Sequence, residues 1–287
     1  MDPGLGIQTK MNIKNREYKW GDRTYVMGIV NITPDSFSGD GLMGRETEAL
    51  EKSINFAEYG ADFIDVGAES TRPNHIQITE AEEINRILDI IEKIAINVNI
   101  PVSVDTYKPT VARASLAAGA SMINNIWGVN NDLSMLELSL QTRTPIIIMH
   151  NQVGTHYSSD FFSDLLSRLY ESVEFAIKVG IEPTKVVLDP GFGFAKTPDQ
   201  NLEILKRVAE IKALGFPVLM GISRKSTIGY VLNLPEEERI EGTAAAVALC
   251  IAGGVDIVRV HDVKEIVRVV RMCDAVIRGW RPDNWIQ

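Results

Sequence analysis

The sequence predicts an α/β protein, a (β/α)8 TIM barrel that forms a single domain with an N-terminal β-hairpin. Three observations predict it. Eight short apolar runs alternate with helical patterns, a last helical pattern follows the eighth run, and 287 residues with 45% hydrophobic content suit one such barrel. An open, doubly wound sheet is the alternative, because that fold also alternates strands with helices.

The eight apolar runs lack the apolar–polar alternation of a strand with one wet face, which indicates parallel strands covered on both faces. They occupy residues 25–31, 62–67, 101–105, 122–125, 145–150, 185–189, 217–221 and 256–260. Between them, segments such as residues 48–60 and 81–95 place apolar side chains at helical spacing. Residues 263–277 predict the helix that follows the last strand.

The starts of two helices have their own signals. Thr79 followed by Glu82 predicts a capping box, and Thr197-Pro198 followed by Gln200 predicts a second helix start. These signals place helix entries after the second and the sixth apolar run.

A weak repeat marks three entries into strands. Gly60-Ala61-Asp62, Gly119-Ala120-Ser121 and Gly254-Val255-Asp256 each precede an apolar run. Glycine at such a place can take the left-handed conformation that ends a helix. The repeat therefore supports a chain built from recurring strand–helix units.

The N-terminal region predicts a different element. Residues 12–26, "NIKNREYKWGDRTYV", indicate a β-hairpin with Gly21-Asp22 in its turn, which would cover the bottom of the barrel. We expect residues 1–10 to be a disordered segment or a non-native remnant, and residues 11–287 to form the single barrel domain.

Charge and composition exclude several classes of function. A formal net charge of -9 argues against a general nucleic-acid surface, so an anion site must be local. No apolar run approaches the roughly 20 residues that span a bilayer, and no signal-peptide pattern opens the chain, so we expect a cytoplasmic protein. The two cysteines, Cys250 and Cys273, lie in helical apolar patterns and are expected to be reduced.

Polar side chains stand at the ends of the eight apolar runs. In barrels of this class the carboxyl ends of the strands meet at one mouth, where the chemistry occurs. One polar residue at a strand end often only caps a loop, but a full set indicates a site. The set consists of Asn31, Asp65, Asp105, Asn124, His150, Asp189, Ser223, Arg224, Lys225, Arg259 and His261.

These side chains divide by chemistry into two groups. Carboxylate, amide and ammonium groups suit the edge of a polar heterocycle, and they belong to Asp105, Asn124, Asp189 and Lys225. Cations and hydrogen-bond donors suit a phosphate or diphosphate, and Arg72, Arg259 and His261 offer them. Asn31 offers an oxygen ligand for Mg2+, which often bridges to phosphate oxygens.

Two long loops follow the first two strands, at residues 33–46 and 68–79. They are unusually long for strand–helix connections, which favours mobile lids over tight turns. A lid is useful where a reactive intermediate must be shielded from water.

The motifs, taken in order, resemble those of a known family. "GIVNITPDSFSGDG", "DVGAESTRP", "PVSVDTYKPTVA", "INNIWG", "MHN", "DPGFGFAKT", "GISRKSTIG" and "RVHDVKE" are similar to the successive signatures of the bacterial dihydropteroate synthases, from about Val26 to Lys264. The resemblance implies a pterin-binding (β/α)8 barrel, usually a homodimer, that makes 7,8-dihydropteroate in folate biosynthesis and is the target of sulfonamides.

The resemblance also implies roles for individual residues. The pterin ring would be bound by Asp105, Asn124, Asp189 and Lys225. The diphosphate and its Mg2+ would be held by Asn31, Arg259 and His261. The 4-aminobenzoate side would be formed by Thr71, Arg72, Pro73 and Ser226, with Met149 and Phe194 as apolar walls. The residues expected to act in catalysis itself are Asp105, Lys225, Arg259 and His261.

In the implied reaction, the neutral aniline nitrogen of 4-aminobenzoate attacks the methylene of a pterin diphosphate, and diphosphate leaves. Two alternatives remain at this stage. A related barrel methyltransferase would bind a pterin but lack Lys225, Arg259, His261 and the Asn31 loop, all of which are present. A catalytically silent pterin-binding barrel would have lost the groups that stabilise the leaving group.

Overall fold

The computed structural model describes residues 8–32, 42–69, 77–128, 133–157, 160–282 and 285. The strands of this part of the chain are β1 Lys10–Ile13, β2 Arg16–Lys19, β3 Tyr25–Asn31, β4 Phe63–Gly67, β5 Val102–Asp105, β6 Met122–Asn125, β7 Ile146–Met149, β8 Val186–Asp189, β9 Leu219–Met220 and β10 Ile257–Val260. The helices are α1 Leu42–Tyr59, α2 Glu80–Asn97, α3 Pro109–Ala117, α4 Ser134–Thr142, α5 Phe161–Val179, α6 Pro198–Lys212, α7 Ser226–Leu232, α8 Ile240–Ala252 and α9 Val263–Ile277, with 3-10 turns at Pro183–Lys185 and Glu236–Glu238.

Strands β3 to β10 form one parallel sheet in the order β8-β7-β6-β5-β4-β3-β10-β9. A parallel bridge between Leu188 and Val218 joins the two ends of that order, so the sheet closes into a barrel. All eight predicted strands are confirmed, and their ends agree with the structure to within two residues. The closure rules out the open, doubly wound sheet.

The predicted helix signals are confirmed with one difference. Thr197 and Gln200 form a complete capping box at the start of α6, whereas at α2 Thr79 accepts from the Glu82 backbone while the Glu82 carboxylate pairs with Arg86. The glycines of the repeat, Gly60, Gly119 and Gly254, all have positive φ, as predicted. Helix α9 begins and ends at the predicted residues.

The N-terminal hairpin is confirmed, but the prediction of its turn is wrong. Strands β1 and β2 pair antiparallel, and the turn between them consists of Lys14 and Asn15, with φ of 47° and 63°. Two residues with positive φ match the right-handed twist of a hairpin, and asparagine tolerates this conformation. Gly21, also at positive φ, lies after β2, where the chain turns toward β3.

The hairpin covers the bottom of the barrel. Met11, Ile13, Tyr18 and Trp20 pack in one buried cluster with inward side chains of the strands. The rings of Tyr18 and Phe63 stack with their centroids 4.7 Å apart. Gln8, before the hairpin, donates its backbone N–H to the Gly215 carbonyl at 2.8 Å.

Alternation along the strands separates the two faces of the barrel wall. In β10, Val258 and Val260 pack in the layer between sheet and helices, whereas Ile257 belongs to the cluster inside the barrel. Because side chains alternate along a strand, Arg259 lies on the inner face, one layer above Ile257. No helix of the described residues combines the length and the apolar composition that crossing a membrane requires.

The same two-residue step recurs around the barrel. Besides Tyr25 and Met27 of β3, the inner cluster contains one residue from each of six further strands: Phe63, Met122, Ile147, Val187, Leu219 and Ile257. Two positions further along these strands stand Asp65, Asn124, Met149, Asp189, Gly221 and Arg259. An apolar floor therefore supports a layer of mostly polar residues at the carboxyl ends of the strands, where barrels of this class carry their sites.

Candidate active site

A pocket opens at the carboxyl ends of the strands. It is lined by Asp105, Asn124, Ile126, Met149, Asp189, Phe192, Phe194, Gly221, Lys225 and Arg259. The residues predicted from the sequence that meet here are Asp105, Asn124, Met149, Asp189, Phe194, Lys225 and Arg259. The pocket thus combines two carboxylates, an amide and two cations with apolar walls.

Arg259 lies at the centre of a buried ionic cluster. Its Nε donates to Asp65 Oδ2 at 2.6 Å and its Nη2 donates to Asp105 Oδ2 at 2.6 Å. Asn124 Nδ2 donates to the same Asp65 oxygen at 3.1 Å. Three strands distant in sequence, β10, β4 and β5, are therefore joined through one guanidinium group. The sequence placed Arg259 only with the diphosphate ligands.

Asp65 is the site residue that sequence reasoning left without a role. Its side chain is fully buried and holds both Arg259 and Asn124. The available signal was its position at the end of a strand, one layer above Phe63. A carboxylate whose partner lies 194 residues away has no local sequence pattern that reveals its function.

The carboxyl group of Asp105 lies between Arg259, which it binds, and the pocket, which it lines. Burial raises the pKa of its carboxyl to about 7, against the opposing effect of the Arg259 guanidinium and with a further increase from Asp65. Its Oδ1 is buried and has no hydrogen-bond partner among the described residues. The unmade bond is costly, and it leaves an acceptor for an N–H group of a ligand.

Asp189 is held by the loop that follows β8. Its Oδ1 accepts from the Gly191 backbone N–H at 2.7 Å, while burial raises the pKa of the carboxyl to about 6 despite that bond. Gly191 has φ of 70°, and a Cβ there would lie 2.0 Å from the His150 carbonyl oxygen. Only glycine fits this close approach.

Lys225 lies across the pocket on the loop between β9 and α7. Its Nζ lies 4.0 Å from the centre of the Phe194 ring, a cation–π contact. Gly193 allows that approach, since a Cβ there would lie 2.9 Å from Lys225 Cδ. The aromatic wall and the lysine therefore form one packed unit.

His261 stands at the mouth, beyond the lining of the pocket. Its Nδ1 lies 3.0 Å from the Ser223 hydroxyl, which also accepts from the His261 backbone N–H at 3.2 Å. Burial and then the charge of Arg259 lower the pKa of the imidazole to about 3. The lowered pKa favours the neutral imidazole near pH 7, so His261 would offer a hydrogen-bond donor rather than a positive charge.

The remaining predicted residues lie around this pocket or outside the description. Asn31 ends β3 beside Gly67 of β4, half-buried and on the inner face. Ser226 is exposed at the start of α7. The residues Thr71, Arg72 and Pro73, and most of the first long loop, lie outside the described residues.

Known proteins are similar to this chain in sequence and in fold. A family model described as pterin binding enzyme matches residues 27–261. The chain is 45% identical over 267 residues to the dihydropteroate synthase of Bacillus subtilis (strain 168), and the match covers 93% of each protein. A crystal structure of dihydropteroate synthase from Clostridium difficile in the presence of pteroic acid has a TM-score of 0.88 and 44% identity, covering 91% of this chain and 99% of that one. A dihydropteroate synthase of Yersinia pestis with a sulfonamide drug complex has a TM-score of 0.86 and 34% identity, covering 93% and 98%.

The Arg259 cluster predicts a large effect of Asp65→Ala on stability. The substitution leaves the guanidinium and the Asn124 amide without their shared acceptor, so we expect the free energy of unfolding to fall by about 3–5 kcal/mol. Denaturant unfolding measures it. Glu17→Ala, which removes the exposed ion pair with Lys10, is the control and should have little effect. Equal small losses in both variants would contradict the central role of the cluster.

Proposed function

The chain belongs to the family of pterin-binding enzymes and has dihydropteroate synthase activity, and from this premise we propose how its residues divide the reaction. The amine of 4-aminobenzoate displaces diphosphate from (7,8-dihydropterin-6-yl)methyl diphosphate, and 7,8-dihydropteroate forms. The observation that carries the proposal is the lining of the pocket, to which Asp105 and Asp189 contribute acceptors and Asn124, Lys225 and Arg259 contribute donors.

The pterin ring is held by the buried half of the pocket. Asp105 and Asp189 accept hydrogen bonds from ring N–H groups, while Asn124 and Lys225 supply donors. The unpartnered Oδ1 of Asp105 supports this role, since a ligand donor would satisfy it. Met149 and Phe194 form the apolar walls against the faces of the ring.

Arg259 connects the pterin half with the leaving group. Its contacts with Asp65 and Asp105 use two of the five N–H groups of the guanidinium, and the others can donate to diphosphate oxygens. His261 adds an N–H donor from its neutral imidazole. The pKa of this imidazole would rise again when an anion binds beside it. Fixed donors that meet developing negative charge lower the barrier without reorganisation.

Mg2+ fits the donor set as an ion carried largely by the substrate. The described residues contain no cluster of three or more acidic, histidine or cysteine side chains that would hold a metal. Mg2+ is commonly bound through one or two protein ligands, substrate phosphates and water, and the amide oxygen of Asn31 would be such a ligand. When bound, Mg2+ neutralises charge on the departing diphosphate.

The 4-aminobenzoate reaches the methylene from the mouth of the barrel. Ser226, exposed and directly after Lys225, borders this approach, and Thr71, Arg72 and Pro73 would complete it. The aniline nitrogen is already neutral, so the attack needs orientation more than a strong base. Sulfonamides, which the Yersinia pestis structure contains, would compete for the same position.

The active form is a cytoplasmic homodimer. Five exposed apolar side chains support a dimer through α6, α7 and α8, namely Leu202, Tyr230, Val231, Leu232 and Leu249. Leu202 and Leu249 line a groove between α6 and α8, and exposed apolar surface of this kind marks interaction sites. The unpaired cysteines Cys250 and Cys273 suit a reducing compartment.

The proposed division of roles predicts that a variant on the diphosphate side and a variant on the pterin side lose affinity for different ligands. His261→Ala should weaken binding of the pterin diphosphate by about tenfold to a hundredfold, the effect of a hydrogen bond to a charged group, and leave binding of the diphosphate-free dihydropterin unchanged. Asp189→Asn should weaken the binding of both ligands by the same factor. Titration calorimetry with the two ligands measures this.

Arg259→Ala should weaken the binding of both the pterin diphosphate and the diphosphate-free dihydropterin, because Asp65 and Asp105 also lose their counter-charge. Product formation from 4-aminobenzoate should fall in all three variants. Equal weakening of both ligands by His261→Ala would refute the assignment of His261 to the diphosphate.

The metal assignment predicts an effect confined to one ligand. Mg2+ should tighten binding of the pterin diphosphate to the wild type, and Asn31→Ala should reduce that enhancement by about tenfold. The diphosphate-free dihydropterin should show no dependence on Mg2+. Asn97→Ala, on the exposed face of α2, is the control. Full enhancement in Asn31→Ala would remove Asn31 from the metal site.

The dimer surface predicts the effect of one charge. Light scattering should give twice the chain mass for the wild type and the chain mass for Leu249→Glu, because the carboxylate would be buried unpaired. Met272→Glu on α9 is the matched control, since Met272 is 66% exposed and Leu249 is 58% exposed. A monomeric wild type, or dissociation caused by Met272→Glu alone, would contradict this interface.

A further inference from the structure

A buried lysine lies behind the pocket, outside its lining. Lys196, in the loop between β8 and α6, is 8% exposed, and it packs beside His150, which is 6% exposed. Lysine is almost never fully buried unless it has partners. Neither side chain has been given a role in the reaction.

The ammonium group of Lys196 joins two strand ends. Its Nζ lies 3.1 Å from His150 Nδ1, 3.4 Å from the His150 carbonyl oxygen and 3.0 Å from the Phe194 carbonyl oxygen. His150 directly follows β7, and Phe194 lies in the loop after β8. Lys196 therefore fastens that loop to the neighbouring strand.

Lys196 is also linked to Asp189 through Gly191. Lys196 Nζ lies 3.2 Å from the point where a Cβ of Gly191 would stand, and the Gly191 N–H is the one that Asp189 accepts. The ammonium thus lies close to the residue whose N–H orients this carboxylate. A nearby positive charge stabilises the ionised form of a carboxyl group, and Lys196 lowers the pKa of Asp189 in this way.

Lys196 also orients the other wall of the pocket. The Phe194 carbonyl that it binds belongs to the residue whose ring covers Lys225. Tyr157 supports the next peptide, since its hydroxyl donates to the Ala195 carbonyl at 3.0 Å, and Ala195 has φ of 48°. An alanine in this conformation is strained, so the loop depends on such contacts.

We propose that Lys196 is a positioning residue for the pterin half of the site, fixing the loop between β8 and α6 and keeping Asp189 ionised from behind. The inference rests on the proposed role of Asp189 in binding the pterin. Lys196 does not touch the substrate. Its effect passes through Gly191 to Asp189 and through Phe194 to Lys225.

The charges around the loop agree with this role. Burial lowers the pKa of Lys196 to about 7, while Asp189 raises it and Lys225 lowers it further. Asp189 has Lys225, Lys196 and Arg259 as its charged neighbours. Burial, then Lys196 and Arg168, lower the pKa of His150 to about 3, so the ring is neutral and its Nδ1 can accept from the ammonium.

The sign of the pH dependence follows. Without the ammonium, the pKa of Asp189 rises above about 6, so the carboxylate that binds the pterin is lost at a higher pH. At pH 8 Asp189 remains ionised in either case, and Lys196 itself has lost most of its charge. The effect of removing the charge should therefore be large at pH 5 and small at pH 8.

The test measures binding of the diphosphate-free dihydropterin between pH 5 and pH 8. Lys196→Met removes the charge and the donors, and Lys196→Gln removes the charge but keeps a donor. Relative to the wild type, Lys196→Gln should bind about tenfold more weakly at pH 5, the effect of a rise of about one pKa unit, and Lys196→Met should bind more weakly still, because it also loses the donors. At pH 8 the Gln variant should match the wild type, and the Met variant should stay weaker. Lys178→Met, on the exposed surface of α5, controls for the loss of one lysine.

Each outcome decides the matter. If neither Lys196 variant changes the ratio between pH 5 and pH 8, while Asp189→Asn abolishes binding, the inference about Lys196 fails and the proposed pterin site stands. If Asp189→Asn binds normally, the proposed site itself fails. A uniform loss at every pH in both folded Lys196 variants would show a purely structural role and would also overturn the inference. If Lys196→Met does not fold, Lys196→Gln alone decides by its pH 5 value.

Discussion

The site depends on one constraint, the burial of Arg259 among carboxylates. A guanidinium inside a barrel is tolerated only where acceptors surround it, and here Asp65 and Asp105 supply them from two other strands. The arrangement fixes more than Arg259. It orients Asp105 toward the pocket, it engages Asn124 through Asp65, and it brings the proposed diphosphate contact to the edge of the pterin space. The proposed pterin contacts and the proposed diphosphate contact are therefore parts of one network.

The fold could be predicted almost completely from the sequence because its signals are local. Apolar runs, caps and helix-ending glycines each depend on a few adjacent residues, and the strand ends agree with the structure within one or two positions. The hairpin turn was the exception. Gly21 is a strong turn signal, yet the pairing of Met11 with Tyr18 requires the turn at Lys14 and Asn15. The register follows from burying Met11, Ile13 and Tyr18 against the barrel floor, a tertiary requirement.

The pocket residues could be predicted because strand alternation is also a local rule. A polar residue two positions after an inward apolar residue, as Asp189 after Val187, must reach the mouth on the inner face. What the rule does not give is the partner. Asp65 and Arg259 meet only because β4 and β10 flank β3 in the closed barrel. Lys196 contacts His150 46 residues away, and although His150 stands at the end of an apolar run, nothing in the sequence around Lys196 distinguishes it from a surface loop residue. The neutral state of His261 likewise depends on burial beside Arg259.

The charged side chains of the ligand-free site bear on whether the diphosphate substrate would need a bound cation. Three carboxylates, Asp65, Asp105 and Asp189, face three basic groups, Arg259, Lys225 and Lys196, while His261 is neutral. Because the pKa values of Asp105 and Lys196 both lie at about 7, each of these groups is only partly ionised at neutral pH, and negative and positive charge still largely offset each other among these residues before any substrate enters. A pterin, which is uncharged at its ring, leaves the balance intact, but a diphosphate adds negative charge that these groups already offset for one another. Such a substrate is better accommodated when it brings its own Mg2+, which supports the proposed metal and explains why few protein ligands would suffice for it.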